Sequence, residues 1–170
     1  MPTPTLHGDR VTLRPLTEAD LPRVLDILLQ PGVREWWPDY DLRRLRADAL
    51  DTPETTTFAI ELGDDLVGVI MQSEETDAHY KSASIDIALD VSRVGQGLGG
   101  DSLRTLARHL FEAGGHHRLA IDPALANERA IAVYRKVGFK PVGVMRAYEL
   151  GADGTWHDNL LLDMLADELQ

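Results

Sequence analysis

The sequence predicts an α/β domain of the mixed α+β kind, built on a mixed sheet. Three observations predict it. A strand over Lys81–Leu89 runs through a glycine-rich turn into an amphipathic helix. Strand and helix signals ending in a hairpin precede that unit. A short strand, a capped helix and a second hairpin follow it.

Taken in order, Val11–Leu16 alternates apolar and polar residues and reads as a first strand. Thr17-Glu18-Ala19-Asp20 is a capping signal, and Leu21, Val24, Leu25 and Leu28 form one helical face. Pro31-Gly32 ends that helix, and Trp36-Trp37 follow beside Glu35. Leu42–Leu50 reads as a second helix with an arginine-rich outer side. Thr57–Leu62 and Leu66–Met71 are strands joined at Gly63-Asp64-Asp65. Gln72–Tyr80 is polar and acidic and reads as a loop. In the central strand Ala83, Ile85, Ile87 and Leu89 share one face, which puts Asp86 on the other between Ser84 and Ala88. Val94–Gly100 is the turn, and Leu103, Leu106, Ala107, Leu110 and Phe111 mark the buried stripe of the third helix. Arg118–Ile121 is a short strand closed by Asp122-Pro123. Asn127 caps a fourth helix whose apolar face is Ala130, Val133, Tyr134 and Val137, and Gly138 stops it. Phe139–Leu150 and Thr155–Leu165 form the last hairpin.

At 170 residues, 44% of them hydrophobic, the chain suits a single domain over residues 1–170 with a sizeable core. The absence of cysteine excludes disulfides, thiolate metal sites and a cysteine nucleophile. The histidines show no ligand spacing, so no metal site is expected. A net charge of −11 argues against nucleic acid as a partner and suits a cationic small molecule. No apolar run is long enough for a membrane span, and the N-terminus lacks a signal core, so a cytoplasmic location is expected.

Glycines ahead of a helix let the backbone approach a ligand, and the unpaired N–H groups of the first turn attract anions. The turn is therefore a candidate phosphate cradle. It lacks the Lys-Ser or Lys-Thr of a Walker loop and the spacing of a dinucleotide fingerprint. Val94-Gly95-Gln96-Gly97-Leu98-Gly99 instead resembles the acetyl-CoA pyrophosphate loop of the GNAT N-acetyltransferases, with Val94 where Gln or Arg is usual. Downstream, the run from Asn127 through Ala130 and Tyr134 to Gly138-Phe139 resembles a second signature of that superfamily. Within it the chain is most similar to the aminoglycoside 6'-N-acetyltransferases. Thr12-Leu13-Arg14, Glu35-Trp36-Trp37, Gln72-Ser73, Ile85-Asp86 and Asp122-Pro123 carry that likeness. The tail from Arg146 looks more like the closing hairpin of ribosomal-protein and other general GNAT enzymes.

The resemblance implies a mostly antiparallel mixed sheet with a splayed central parallel strand pair and about four helices. It implies acetyl-CoA as cofactor, with CoA as product. It assigns the cofactor to Leu89, Val91, Val94, Gly95, Gln96, Gly97, Leu98, Gly99, Asn127, Ala130 and Tyr134. The thioester carbonyl would be held by backbone N–H groups around Leu89–Val91. It implies acetylation of the 6'-amine of an aminoglycoside by direct attack of the deprotonated amine. A protein N-terminus, a polyamine or a metabolic amine is the alternative acceptor. Asp86 is the expected general base, and Tyr134, with an ordinary pKa near ~10, the expected acid. The acceptor is expected on Trp36, Trp37, Gln72, Glu74, Asp86 and Asp122, one tryptophan also filling the core. Glu75, Asp77 and Asp90 are further acidic candidates, and the expected state is a monomer or homodimer.

Overall fold

The computed structural model describes residues 2–170. Its elements in chain order are β1 (Leu6–His7), β2 (Thr12–Pro15), α1 (Leu21–Leu28), α2 (Leu42–Leu50), β3 (Thr55–Leu62), β4 (Asp65–Glu75), β5 (Ser82–Leu89), α3 (Leu98–Glu112), β6 (Arg118–Ile121), α4 (Glu128–Val137), β7 (Lys140–Leu150) and β8 (Trp156–Leu165). All eight strands join one sheet in the order β1-β2-β3-β4-β5-β6-β8-β7. Every neighbouring pair is antiparallel except β5 and β6. This is the mixed sheet that the residue pattern predicts, with the central parallel pair and the four α-helices that the resemblance implies.

Each face of the sheet carries a core, because strand side chains alternate. Phe58, Ile60, Ile70, Ala83 and Ile85 pack on one face with the apolar stripes of α3 and α4. Ala59, Val69 and Ala88 pack on the other with Leu21, Val24 and Leu28 of α1 and Leu45 of α2. Asp86 therefore projects toward the α1–α2 side, as its place between Ile85 and Ile87 requires.

The parallel pair is short. Ala83 faces Leu119, Ser84 faces Ala120, and the pairing stops there. Beyond Ser84 the edge of β5 that turns toward β6 has no strand partner, so the sheet opens into a splay. On its other edge β5 stays paired with β4 up to Leu89, which lies opposite Gly68. A Cβ at Gly68 would sit 2.5 Å from the Ala88 carbonyl oxygen. The strands can approach here only because residue 68 has no side chain.

Three expectations need correction. Gln72–Tyr80 is not all loop: β4 continues through Glu75. Its polar side chains are accommodated inside the sheet, Ser73 bonding Thr55 at 2.9 Å and Glu74 bonding His116 at 2.6 Å. The third helix starts at Leu98, so Gly99 and Gly100 lie within its first turn instead of before it. Leu6–His7 forms a two-residue strand that periodicity is too short to reveal.

The N-terminal segment is fastened to α3. The Asp101 carboxylate accepts N–H bonds from Asp9, Arg10 and Val11 at 2.9, 2.8 and 2.9 Å. Gly8 lies against the same group, and a Cβ there would clash with Thr105 and Asp101.

Candidate active site

Two cavities flank the splay. The first, about 570 Å³, opens between the loop before α3 and the start of α4. Gly95 and Gly97 take φ of +83° and +82°, the left-handed region that glycine enters without strain. Gly97 is the N-cap of α3, so the first N–H groups of that helix face the cavity mouth. Arg93, Arg104, Arg129 and Lys136 line it, and no carboxylate does so among the described residues. In a chain of net charge −11 this is a strong local inversion. Leu89, Val91, Leu98, Ala130 and Val133 supply an apolar stretch leading inward to Tyr134. A pocket lined by a helix N-terminus, four cations and a set of apolar side chains fits a phosphorylated nucleotide carrying a long thin arm.

Most residues predicted for the cofactor converge there: Leu89, Val91, Val94, Gly95, Gly97, Leu98, Gly99, Asn127, Ala130 and Tyr134 all line the cavity. Gln96 does not. It points outward, with its carbonyl accepting from Arg10 and its amide donating to Ser92. The backbone N–H groups near Leu89–Val91 are also largely taken. Asp90 N–H donates to the Val67 carbonyl and Val91 N–H to the Gln30 side chain, at 2.8 and 2.9 Å. An N–H for a carbonyl is left to the edge of β5 that β6 does not pair, which includes Leu89.

The second cavity, about 590 Å³, lies on the α1–α2 side. Trp36 and Trp37 line both cavities, so the two meet at the tryptophan pair. Trp36 is exposed, while Trp37 packs on the α1–α2 core and tilts against Tyr40 at 5.7 Å between ring centres. The Arg44 guanidinium sits 4.3 Å over the Tyr40 ring, and the Tyr40 hydroxyl donates to Asp48 at 2.9 Å. Asp39, Asp48, Asp86 and Glu149 give this cleft its acidic lining. The four-carboxylate wall has one basic residue in it, Arg44, and that is paired with Asp48.

Asp86 stands at the inner end of the cleft. Its side chain is exposed to solvent within the cleft. Burial, reinforced by the negative charges of Asp122 and Glu149, pushes its pKa up to about 6. Burial likewise raises Asp122; the neighbouring Tyr148 hydroxyl opposes this and Glu149 adds to it. Tyr134 reaches the splay from the opposite face of the sheet. Burial raises its pKa further above the ordinary value, and the charges of Asp86 and Asp122 add to the effect. Asp86, Asp122 and Tyr134 are thus within electrostatic reach of one another across the opening.

Glu74 and Gln72 do not join them. Both lie on the other face of β4: Gln72 is buried and Glu74 is bound to buried His116. The same alternation that delivers Asp86 to the cleft removes these two, since Gln72 pairs with Ile85 and not with Asp86. Asp90 is a structural group, accepting from Arg23 at 2.6 Å and from Ser92. Glu75 and Asp77 belong to neither cavity lining described here. Sequence reasoning missed Tyr40, Asp48 and Glu149, and the four cations of the first cavity. Arg129 and Lys136 were open to discovery, because they flank the residues of the second signature on the same helix.

The family profile described as an acetyltransferase (GNAT) domain matches residues 10–140. The aminoglycoside N(6')-acetyltransferase type 1 of Klebsiella pneumoniae is 28% identical over 160 residues, covering 83% of this chain and 79% of that protein. The structure of Mycobacterium smegmatis RimJ in complex with CoA-disulfide overlays with a TM-score of 0.85 at 29% identity, covering 98% of this chain and 89% of that one. RimL, a ribosomal L7/L12 alpha-N-protein acetyltransferase solved with coenzyme A, overlays with a TM-score of 0.84 at 22% identity, covering 97% of this chain and 99% of that one.

Proposed function

The chain belongs to the GNAT acetyltransferases, which use acetyl-CoA, and from that premise we propose that it acetylates the 6'-amine of aminoglycosides. The observation that carries the reading is the segregation of charge across the splay, cations around one cavity and carboxylates around the other. A polyanionic donor and a polycationic acceptor would each find their complement. The aromatic wall of Trp36, Trp37 and Tyr40 suits sugar rings bearing ammonium groups. The relative from Klebsiella pneumoniae supports the same acceptor. The tail from Arg146, which resembles the closing hairpin of ribosomal-protein GNAT enzymes, favours a second reading, a protein N-terminal amine.

When bound, acetyl-CoA supplies its acetyl group as a thioester. Arg93, Arg104, Arg129, Lys136 and the start of α3 would hold its phosphates, and Asn127 and Ala130, which line the same cavity, would contact the rest of it. Asp86 takes a proton from the acceptor ammonium, directly or through water, and leaves the amine free to attack. A base with a pKa of about 6 is ionised at neutral pH and still basic enough to accept that proton. Tyr134 gives its proton to the departing sulfur. Its raised pKa keeps the proton in place before reaction. A cationic acceptor beside Asp86 would offset the part of the rise that Asp86 and Asp122 add to burial, easing donation when substrate is present. Asp122, which lines neither cavity, adds its charge to the field at Asp86.

Thiol release from acetyl-CoA with kanamycin, tobramycin, amikacin, spermidine and a basic peptide, with products identified by mass, tests the acceptor. Single acetylation of the aminoglycosides is expected. Turnover of the peptide alone would replace this reading with the second. Tyr134→Phe is expected to lower the single-turnover rate by ~10²-fold, the scale of a lost acid catalyst, with acetyl-CoA affinity little changed. An unaltered rate would remove Tyr134 from the acid role.

A further inference from the structure

The last hairpin is irregular where it meets the cleft. Met145 faces Asn159 and Glu149 faces His157, so Arg146, Ala147 and Tyr148 oppose Asp158 alone. Ala147 is forced to φ +47°, an unusual value for a residue with a side chain. Its N–H is held by the Asp158 carboxylate at 2.8 Å. Strained bulges of this kind re-aim side chains. Here the bulge turns Glu149 into the acceptor cleft and brings the Tyr148 hydroxyl to Asp122.

Asn159 locks that arrangement. Its side-chain amide donates to Glu149 Oε2 at 3.0 Å and to the Asp122 carbonyl at 2.7 Å. The amide must point this way, because both partners are acceptors. Asn159 is only 3% exposed, and its own Oδ1 has no hydrogen-bond partner. Asp86 and Glu149 thus share the cleft lining, and the Asn159 amide ties Glu149 to the Asp122 backbone behind it, while the cleft's lining arginine is bound to Asp48.

We propose that Glu149, aimed by the Ala147 bulge and fixed by Asn159, is a specificity residue that holds a second ammonium of the acceptor while Asp86 serves the reacting one. The site therefore selects acceptors carrying at least two amino groups. This rests on the acetyltransferase reading of the cleft but not on which polyamine or amino sugar is used.

The test is calorimetric binding of kanamycin, with several amines, and glucosamine, with one, to the CoA-bound protein. Glu149→Gln keeps the oxygen that accepts from Asn159 and removes the charge. Wild type should bind kanamycin at least ~10-fold more tightly than glucosamine, and Glu149→Gln should lose ~10-fold for kanamycin, the scale of one charge-assisted hydrogen bond. Glucosamine binding should change less than twofold. Equal losses for both ligands, no loss for either, or no preference for kanamycin in wild type would overturn the proposal. Acetylation measured in parallel separates the two readings. A variant that acetylates both ligands as wild type does leaves the enzyme reading standing without the specificity residue, whereas a wild type that binds kanamycin through Glu149 but transfers nothing removes the acceptor reading alone.

Discussion

Asp86→Asn should abolish acetyl transfer, with kcat/KM falling by ~10³-fold, while leaving acetyl-CoA binding intact and making the protein more stable at pH 8. The two effects share one cause. The carboxyl of the unfolded chain titrates near ~4 and that of folded Asp86 near about 6. Folding raises this pKa, so the folded chain binds more protons between those values and loses stability as pH rises through the window. Asparagine removes that penalty. Solvent reaches the side chain through the cleft, which reduces the gain to ~1 kcal/mol, or ~2–4 °C in Tm for a chain of this size. The advantage of the variant should vanish below about pH 4, where both forms of the wild-type carboxyl are protonated. The wild-type rate should in turn fall as pH drops through about 6, the point where the base becomes protonated. Retained turnover in Asp86→Asn, or a rate that is flat across pH 5–7, would take Asp86 out of the base role.

Asp101→Ala should be strongly destabilising for a change in the first turn of α3, at ~2 kcal/mol. Three backbone donors, Asp9, Arg10 and Val11, lose their acceptor together; the buried Val11 N–H costs ~1 kcal/mol or more, and the two half-buried ones less because water reaches them. A favourable acidic group is also lost from the first turn of a helix. The expected observation is a lower urea midpoint at unchanged m. Burial raises the pKa of Asp101, but the three N–H bonds outweigh it and the net shift is downward. The stability difference between wild type and variant should accordingly be full above about pH 5 and shrink as pH falls through the lowered value. A change below ~0.5 kcal/mol would mean that the segment finds other partners.

The central unit was legible because each of its parts obeys a different local rule. Period 2 over Ala83–Leu89 set the face of Asp86, glycines marked the cradle, and a period near 3.6 marked α3. The two tryptophans and Tyr134 were likewise within reach of the sequence. A polar run such as Gln72–Tyr80 carries no apolar period, so nothing in it marks the strand that β4 continues through Gln72 and Glu74 with alternating faces. Glu74 then spends its carboxylate on His116, a residue 42 positions away, a pairing that only the tertiary fold creates. Glu149 was invisible for a different reason. Strict alternation along β7 does not say where it points, since three residues bulge opposite one. The four cations of the first cavity are spread from residue 93 to residue 136 and become a group only when α3 and α4 pack side by side.

The parting of β5 from β6 after Ser84 has a consequence for the resting protein. A sheet interior normally keeps its amides dry and shielded by neighbours. Here a central strand carries a row of backbone groups that only water can satisfy until something extended lies along it. The molecule therefore keeps a hydrated seam through its own middle. Any arm that settles there must replace that water bond for bond, so tight binding demands an arm with amides of its own and disfavours a plain hydrocarbon chain.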